Sequence, residues 1–309
     1  MTKLPFPGET PYPRQLTLWE PDQPVRAIVL IAHGMAEHIA RYDRTAKKLA
    51  KEGYLVCGYN HLGHGKEAPV KGYFAQKDGW GKTVSDMKTV MDFLKQRTPG
   101  APCMLLGHSM GSFLAREYVL RYPEDLDALV LSGTAYHPKD LCLSGLVPAN
   151  SLCGLGFEKK PSKFLDRMAF SANNKPFFKP GASAFEWLSR DHKEVKKYVE
   201  DPLCGFVFTG GGFRDLFRGL LRLTDGARLK KISKSMPVYL MSGANDPVGE
   251  MGKGPQEVAR RYINAGLSNV TVKLYEGARH ELLNETNRDE VTDDLIAWMK
   301  QSLKSREAA

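Results

Sequence analysis

The chemistry of this chain starts at a serine held between glycines. Gly107-His108-Ser109-Met110-Gly111 is a Gly-x-Ser-x-Gly stretch lying between an apolar run at 103–106 and a helical run at 112–122. A serine on so sharp a strand-to-helix turn has its hydroxyl lifted above the sheet, and the flanking glycines let neighbouring backbone pass without Cβ clashes. A five-residue pattern with two fixed glycines also arises by chance, so the reading leans on the strand and helix that bracket it. A neutral serine hydroxyl is a weak nucleophile; acyl transfer needs a base to take its proton and a carboxylate to orient that base. His280 in Glu276-Gly277-Ala278-Arg279-His280 and Asp246 in Gly243-Ala244-Asn245-Asp246-Pro247 are the candidates, each just past a run of β character. Open α/β sheets collect their functional groups at such strand ends. Taken singly, Asp246 reads as a turn former before proline and His280 as a loop histidine. Jointly with Ser109, their order Ser, Asp, His points to a hydrolytic triad.

The tetrahedral intermediate of acyl transfer needs two donors aimed at its oxyanion. The backbone amide of Met110, next to the nucleophile, is one candidate. The amide of Met35 in His33-Gly34-Met35, after the strand ending near residue 32, is the other. Seven further histidines compete with His280. His108 sits on the elbow and is expected to point elsewhere, while His61 and His64, flanking Leu62-Gly63, read as structural hydrogen bonders.

These groups need a scaffold that brings strand ends together. Buried apolar runs at 26–32, 54–59, 103–106 and 128–132 alternate with helical periodicity at 41–52, 83–97 and 112–122, and the rhythm resumes with strands at 237–242 and 270–275 and helices at 256–265 and 290–304. Such alternation predicts an α/β fold with a mostly parallel, doubly wound sheet. Residues 14–19 alternate polar and apolar, which suggests an antiparallel strand at the sheet edge. After Gly133 the rhythm breaks for some ninety residues rich in Phe, Leu, Gly and Pro. The chain is therefore divided into core 1–136, a helical cap insertion 137–228, and core 229–309.

Composition limits the alternatives. The chain has 309 residues, 42% hydrophobic and 26% charged, which suits an ordinary globular protein. The net charge of +9 is spread over short lysine pairs without a basic stripe, so nucleic-acid binding is not expected, and weak attraction to anionic membrane surfaces fits better. Five cysteines at wide spacings show neither a disulfide framework nor a metal-ligand pattern. The start lacks a secretory apolar run and no window reaches the roughly 18 apolar residues of a membrane span, which predicts a cytoplasmic protein.

Several motifs together resemble the monoacylglycerol lipase and lysophospholipase branch of the α/β-hydrolases, grouped with the serine aminopeptidase-like hydrolases. They are His33-Gly34-Met35-Ala36-Glu37-His38 with Arg41-Tyr42, Gly63-His64-Gly65, the elbow, Tyr275-Glu276-Gly277 leading to His280, and the insertion segments Trp187-Leu188-Ser189-Arg190-Asp191 and Asp201-Pro202-Leu203-Cys204. The resemblance implies the α/β-hydrolase fold with a cap over the site, a lipid ester as substrate, the triad Ser109, Asp246 and His280, oxyanion amides at Met35 and Met110, and neither metal nor organic cofactor. One departure stands out: many relatives carry Asp-x-Arg-Gly-His-Gly where this chain has Asn60-His61-Leu62-Gly63-His64-Gly65. Phenylalanines and leucines of the insertion suit the lining of an acyl tunnel. The expected function is hydrolysis of monoacylglycerols or lysophospholipids through an acyl-enzyme on Ser109, with transient membrane contact through the cap. A short-chain carboxylesterase, a peptidase using cap carboxylates (Glu158, Asp166, Glu186, Asp191, Glu194, Glu200, Asp201) and a non-catalytic ligand-binding scaffold are the alternatives. Oligomeric state is left open.

Overall fold

The computed structural model describes residues 1–307. Eight strands form one sheet: β1 (Thr2–Pro5), β2 (Gln15–Trp19), β3 (Ala27–Ala32), β4 (Tyr54–Tyr59), β5 (Cys103–His108), β6 (Ala128–Ser132), β7 (Val238–Gly243) and β8 (Val270–Tyr275), in the spatial order β1-β2-β4-β3-β5-β6-β7-β8. The β1–β2 and β2–β4 pairs are antiparallel and the other neighbouring pairs parallel. Strands β3 to β7 are buried along their whole length, which is why they read as unbroken apolar runs: helices cover both faces. Edge strand β8 keeps partly exposed positions.

The helices sort onto the two faces. Helix α1 (Asp43–Lys51) packs on one face, while α2 (Gly79–Arg97) and α3 (Met110–Arg121) pack on the other. Between β6 and β7 come α4 (Lys139–Gly154), α5 (Lys163–Phe170), α6 (His192–Glu200), α7 (Gly210–Arg222) and α8 (Gly226–Leu229). Helix α9 (Lys253–Asn264) then joins the α2 and α3 face, and α10 (Arg288–Glu307) joins α1.

One detail departs from the sequence reading. The strand expected at the edge near residues 14–19 is antiparallel, but β1 lies outside it and takes the edge. The glycine run at 210–212 is the first turn of α7, capped by the Thr209 hydroxyl accepting from the Gly212 amide at 3.1 Å. Glycine is required there because a Cβ on Gly212 would strike the Gly72 carbonyl. Helix α7 thereby rests on α2, α3 and α4, tying the inserted helices to the sheet. Among the described residues, no helix is long and apolar enough to cross a membrane.

Candidate active site

Ser109 sits between the last residue of β5 and the first of α3 in a conformation that side chains rarely adopt, with φ 52° and ψ −120°. Such geometry costs on the order of 1–3 kcal/mol and persists only where its surroundings fix it. Here the Ser109 amide donates to the Ser132 carbonyl at 2.9 Å, and the Ser112 amide and hydroxyl both donate to the Ser109 carbonyl, at 2.8 and 2.6 Å. The glycines serve close approach: a Cβ on Gly107 would meet the Gly111 carbonyl, and one on Gly111 the Ala32 carbonyl.

Asp246 follows β7 and is completely buried, and His280, past β8, is 2% exposed. His280 Nδ1 bonds Asp246 Oδ2 at 2.9 Å, while Asp246 Oδ1 accepts the Val248 amide at 2.9 Å. With Nδ1–H donating to the carboxylate, Nε2 keeps the lone pair that a serine proton needs. Burial lowers the basicity of His280, but the charge and hydrogen bond of Asp246 outweigh it, and the pKa rises above the ordinary imidazole value. Ser109, His280, Met35 and Met110 all line one cavity of about 390 Å³, with Asp246 behind the histidine.

The loop after β3 shows why Met35 is a suitable oxyanion donor. The Gly34 amide is taken by Glu37 Oε1 at 2.5 Å, and the Ala36 amide by His64 Nε2 at 3.2 Å. Of three consecutive amides, that leaves Met35's without a protein acceptor among the described residues. Met110, first residue of α3, likewise has no intrahelical acceptor for its amide.

The turn at residues 60–65 supports this loop. Asn60 Oδ1 accepts the Ile39 amide at 3.0 Å, and His33 Nε2 accepts the His61 amide at 3.0 Å. His64 is the structural hydrogen bonder expected, bonding through both ring nitrogens. The His61 ring is not: neither nitrogen has a hydrogen-bond partner among the described residues, and it packs against His33 with centroids 4.3 Å apart. Burial drives His33 and His64 down to about 3, so both rings are neutral. His108 does not point wholly away. Its ring lies 4.9 Å from that of His280 and on the cavity wall, with burial holding its pKa down to about 4.

Sequence reasoning assigned no role to a buried ion-pair relay beside the triad. Arg41 Nη1 donates to Glu37 Oε2 and Glu281 Oε1, both at 2.7 Å, and Nη2 donates to Glu281 Oε2 at 2.6 Å. Glu37 thus fixes the Gly34 amide on one side and Arg41 on the other, while Glu281 directly follows His280. Burial opposes the charge on Glu37, but Arg41 holds its carboxyl below the usual range. The guanidinium lies 4.9 Å from the centroid of the Tyr198 ring of α6, so a single arginine links the loop after β3, the loop of His280 and the segment between β6 and β7. The spacing of Glu37 and Arg41, one helical turn apart, was visible in the sequence; the partnership with Glu281 was not. Trp187 is a second missed contact, its ring 5.1 Å from that of His280.

The cavity wall is mainly apolar, with Phe113, Leu216, Phe217, Leu220 and Val248, and carries a polar cluster of Glu37, Tyr198 and Glu281. Of the insertion phenylalanines, Phe170 and Phe185 line it, whereas Phe164 and Phe178 are exposed to solvent. Of the seven insertion carboxylates considered for binding an amine, only Asp166 lines the cavity. Asp191 pairs with Arg288, Glu194 with Lys197 and Asp201 with His38.

A mostly parallel eight-stranded sheet, with a serine at a strained strand-to-helix turn and an aspartate–histidine pair after later strands, is the α/β-hydrolase fold. Within that class the chain belongs to the family described as serine aminopeptidase, S33, whose profile matches residues 23–287. It is 28% identical over 286 residues to a monoacylglycerol lipase of Mycolicibacterium smegmatis, covering 93% of this chain and 92% of that protein. It is 27% identical over 290 residues to the monoglyceride lipase of Homo sapiens, covering 92% and 85%. A thermostable carboxyl esterase from Bacillus coagulans, solved with glycerol, superposes with a TM-score of 0.89 at 25% identity over 98% of both chains.

Proposed function

We propose that this protein hydrolyses carboxylic esters of lipids, monoacylglycerols or lysophospholipids, through an acyl-enzyme on Ser109. The observation that carries the reading is the buried Asp246–His280 hydrogen bond, whose histidine lines the same mainly apolar cavity as Ser109. In this mechanism His280 Nε2 takes the Ser109 proton as the hydroxyl attacks the ester carbonyl. The oxyanion is received by the amides of Met35 and Met110, and His280 returns the proton to the departing alcohol. Water, activated by the same histidine, then releases the fatty acid. The apolar wall suits an acyl chain, and the cluster of Glu37, Tyr198 and Glu281 suits a hydroxylated headgroup. Similarity to monoacylglycerol lipases supports the substrate class.

In this reading residues 1–136 and 229–309 form the catalytic core and 137–228 the cap. The cap exposes Leu155 at 73% and Phe178 at 72%, together with Val147 and Phe164, and Lys159, Lys160, Lys163 and Lys175 of the same stretch are exposed as well. An apolar surface set among lysines fits transient contact with an anionic membrane surface. Five free cysteines suit a reducing, cytoplasmic compartment.

A panel of long-chain monoacylglycerols, lysophospholipids, short p-nitrophenyl esters and aminoacyl amides tests the proposal, run on the native chain and on Ser109→Ala. Serine-dependent preference for long-chain lipid esters is expected. Preference for amides would replace the substrate class with a peptidase, and turnover unchanged in Ser109→Ala would remove the mechanism.

A further inference from the structure

Outside the catalytic cavity, three metal-ligating side chains from distant parts of the chain converge. His38 lies three residues past Met35 on the loop after β3, whereas Asp201 and Cys204 lie in the segment between α6 and α7. A donor atom from each falls within 4.8 Å of the other two, and His38 Nε2 and Asp201 Oδ2 are already 2.8 Å apart. Ligand atoms around tetrahedral zinc are separated by about 3.5 Å, as bond lengths near 2.0–2.3 Å require. A small side-chain rotation therefore closes the set.

The surroundings suit a cation of intermediate softness. Imidazole, carboxylate and thiolate together favour zinc over calcium or magnesium, which prefer oxygen-only sites. Burial holds the Cys204 thiol protonated until a cation displaces the proton, and the charges around it are Glu37, Asp201 and Glu281 against Arg41, with Lys71 donating to the nearby Pro202 carbonyl, which leaves an excess of negative charge. Asp201 is held in place by a second interaction, its Oδ1 accepting the Leu203 amide at 2.8 Å. His38 and Asp201 are partly exposed, which leaves an entry path and room for a water as fourth ligand. None of the three residues lines the cavity that holds Ser109.

We propose that His38, Asp201 and Cys204 form a zinc site through which the ion pins the cap to the oxyanion loop and slows turnover. Binding takes the neutral His38 imidazole, the Asp201 carboxylate and the Cys204 thiolate, and the thiol proton leaves to solvent. The two segments already touch: the Gly205 amide donates to the Ala36 carbonyl at 2.9 Å and the Tyr198 hydroxyl to the same oxygen at 3.1 Å. A metal bridge adds a strong bond at a junction that cap opening must loosen, so substrate entry and product release slow. The inhibitory effect rests on the hydrolase reading; the binding does not.

The test is titration of the full chain with Co²⁺ as a spectroscopic stand-in for Zn²⁺, followed by Zn²⁺ inhibition of p-nitrophenyl ester hydrolysis. The native chain should show a near-ultraviolet thiolate-to-cobalt band that excess Zn²⁺ removes. Cys204→Ser should lose the band, and Asp201→Asn, whose amide still reaches His38 to preserve the local fold, should bind cobalt far more weakly. Loss of an outer-shell partner alone weakens metal sites about 10–100-fold, so removing a ligand should raise the Zn²⁺ inhibition constant by about 100-fold, with metal-free activity unchanged in both variants. A native chain that shows the band but cleaves no ester would keep the metal site and discard the hydrolase reading. Absence of the thiolate band in the native chain would overturn the site, as would Zn²⁺ inhibition of Cys204→Ser and Asp201→Asn as strong as that of the native chain, which would place the ion elsewhere, at His280 for example.

Discussion

The strand-end loops of the core and the helices inserted between β6 and β7 meet at one cavity, yet they are built on opposite principles. Around Ser109 the polar groups are buried and tightly bonded: Asp246 to His280 and Val248, Glu37 to Gly34 and Arg41, His64 to Ala36 and Leu62. Over the cavity, the inserted helices turn some apolar side chains inward, such as Leu216 and Phe217, and leave others, such as Leu155 and Phe178, in solvent. Fixed dipoles in a dry environment suit bond-breaking, because they need no reorganisation as charge develops. Loosely specified apolar surface suits a flexible acyl chain and a fluid interface. In the proposed function the contrast divides geometry and access between two stretches of one chain.

The sharpest way to break this division is to disturb the core. Asp246→Asn leaves the shape intact but lets His280 adopt the wrong tautomer, so kcat should fall about 10⁴-fold. The residual activity should have its acid limb at lower pH, because the carboxylate that raises the histidine is gone. A variant retaining more than a tenth of native kcat would deny Asp246 its role.

Arg41→Met is the next largest, since it leaves Glu37 and Glu281 as uncompensated buried charges. Breaking such a pair costs about 3–5 kcal/mol, visible as a lower denaturant midpoint. Because Glu37 also fixes Gly34, kcat should drop more than KM changes, and Arg41→Lys should restore part of it. Stability loss with unaltered kcat would make the relay a packing feature only.

Acid should weaken the fold through buried rings of the core and, at His137, of the first insertion residue. His33 and His64, near 3, and His108 and His137, near 4, are neutral in the fold but titrate at about 6.5 when unfolded. Below 6.5 the unfolded chain binds more protons, so stability is lost as pH falls from 6.5 toward 4 and then 3. Thermal melts across that window should decline steadily, and His64→Gln should flatten the slope. A melting temperature constant from pH 7 to 4 would contradict the buried neutral histidines.

The smallest effect is expected at the cap surface. Leu155→Ser with Phe178→Ser should leave hydrolysis of soluble p-nitrophenyl esters within about twofold of native, since exposed substitutions seldom disturb stability by more than about 0.5 kcal/mol. Turnover of monoacylglycerol in anionic vesicles should fall several-fold. An equal effect on both substrates would remove the distinction between the regions.

The sequence by itself determined the strand and helix rhythm of the core and the elements that carry Ser109, Asp246, His280, Met35 and Met110. Those signals are local: fully buried strands must be apolar, and a serine on a strained turn requires glycines at fixed spacing. Tertiary structure alone decided which side chains became neighbours. Arg41 and Glu281 are 240 positions apart, and His38 and Asp201 are 163 apart, and no local pattern encodes such pairings. The edge position of β1, the unpartnered His61 ring and the sorting of insertion phenylalanines between cavity and solvent have the same origin. Each depends on how the layers pack, and packing is a property of the assembled chain that a residue's own neighbours in sequence do not specify.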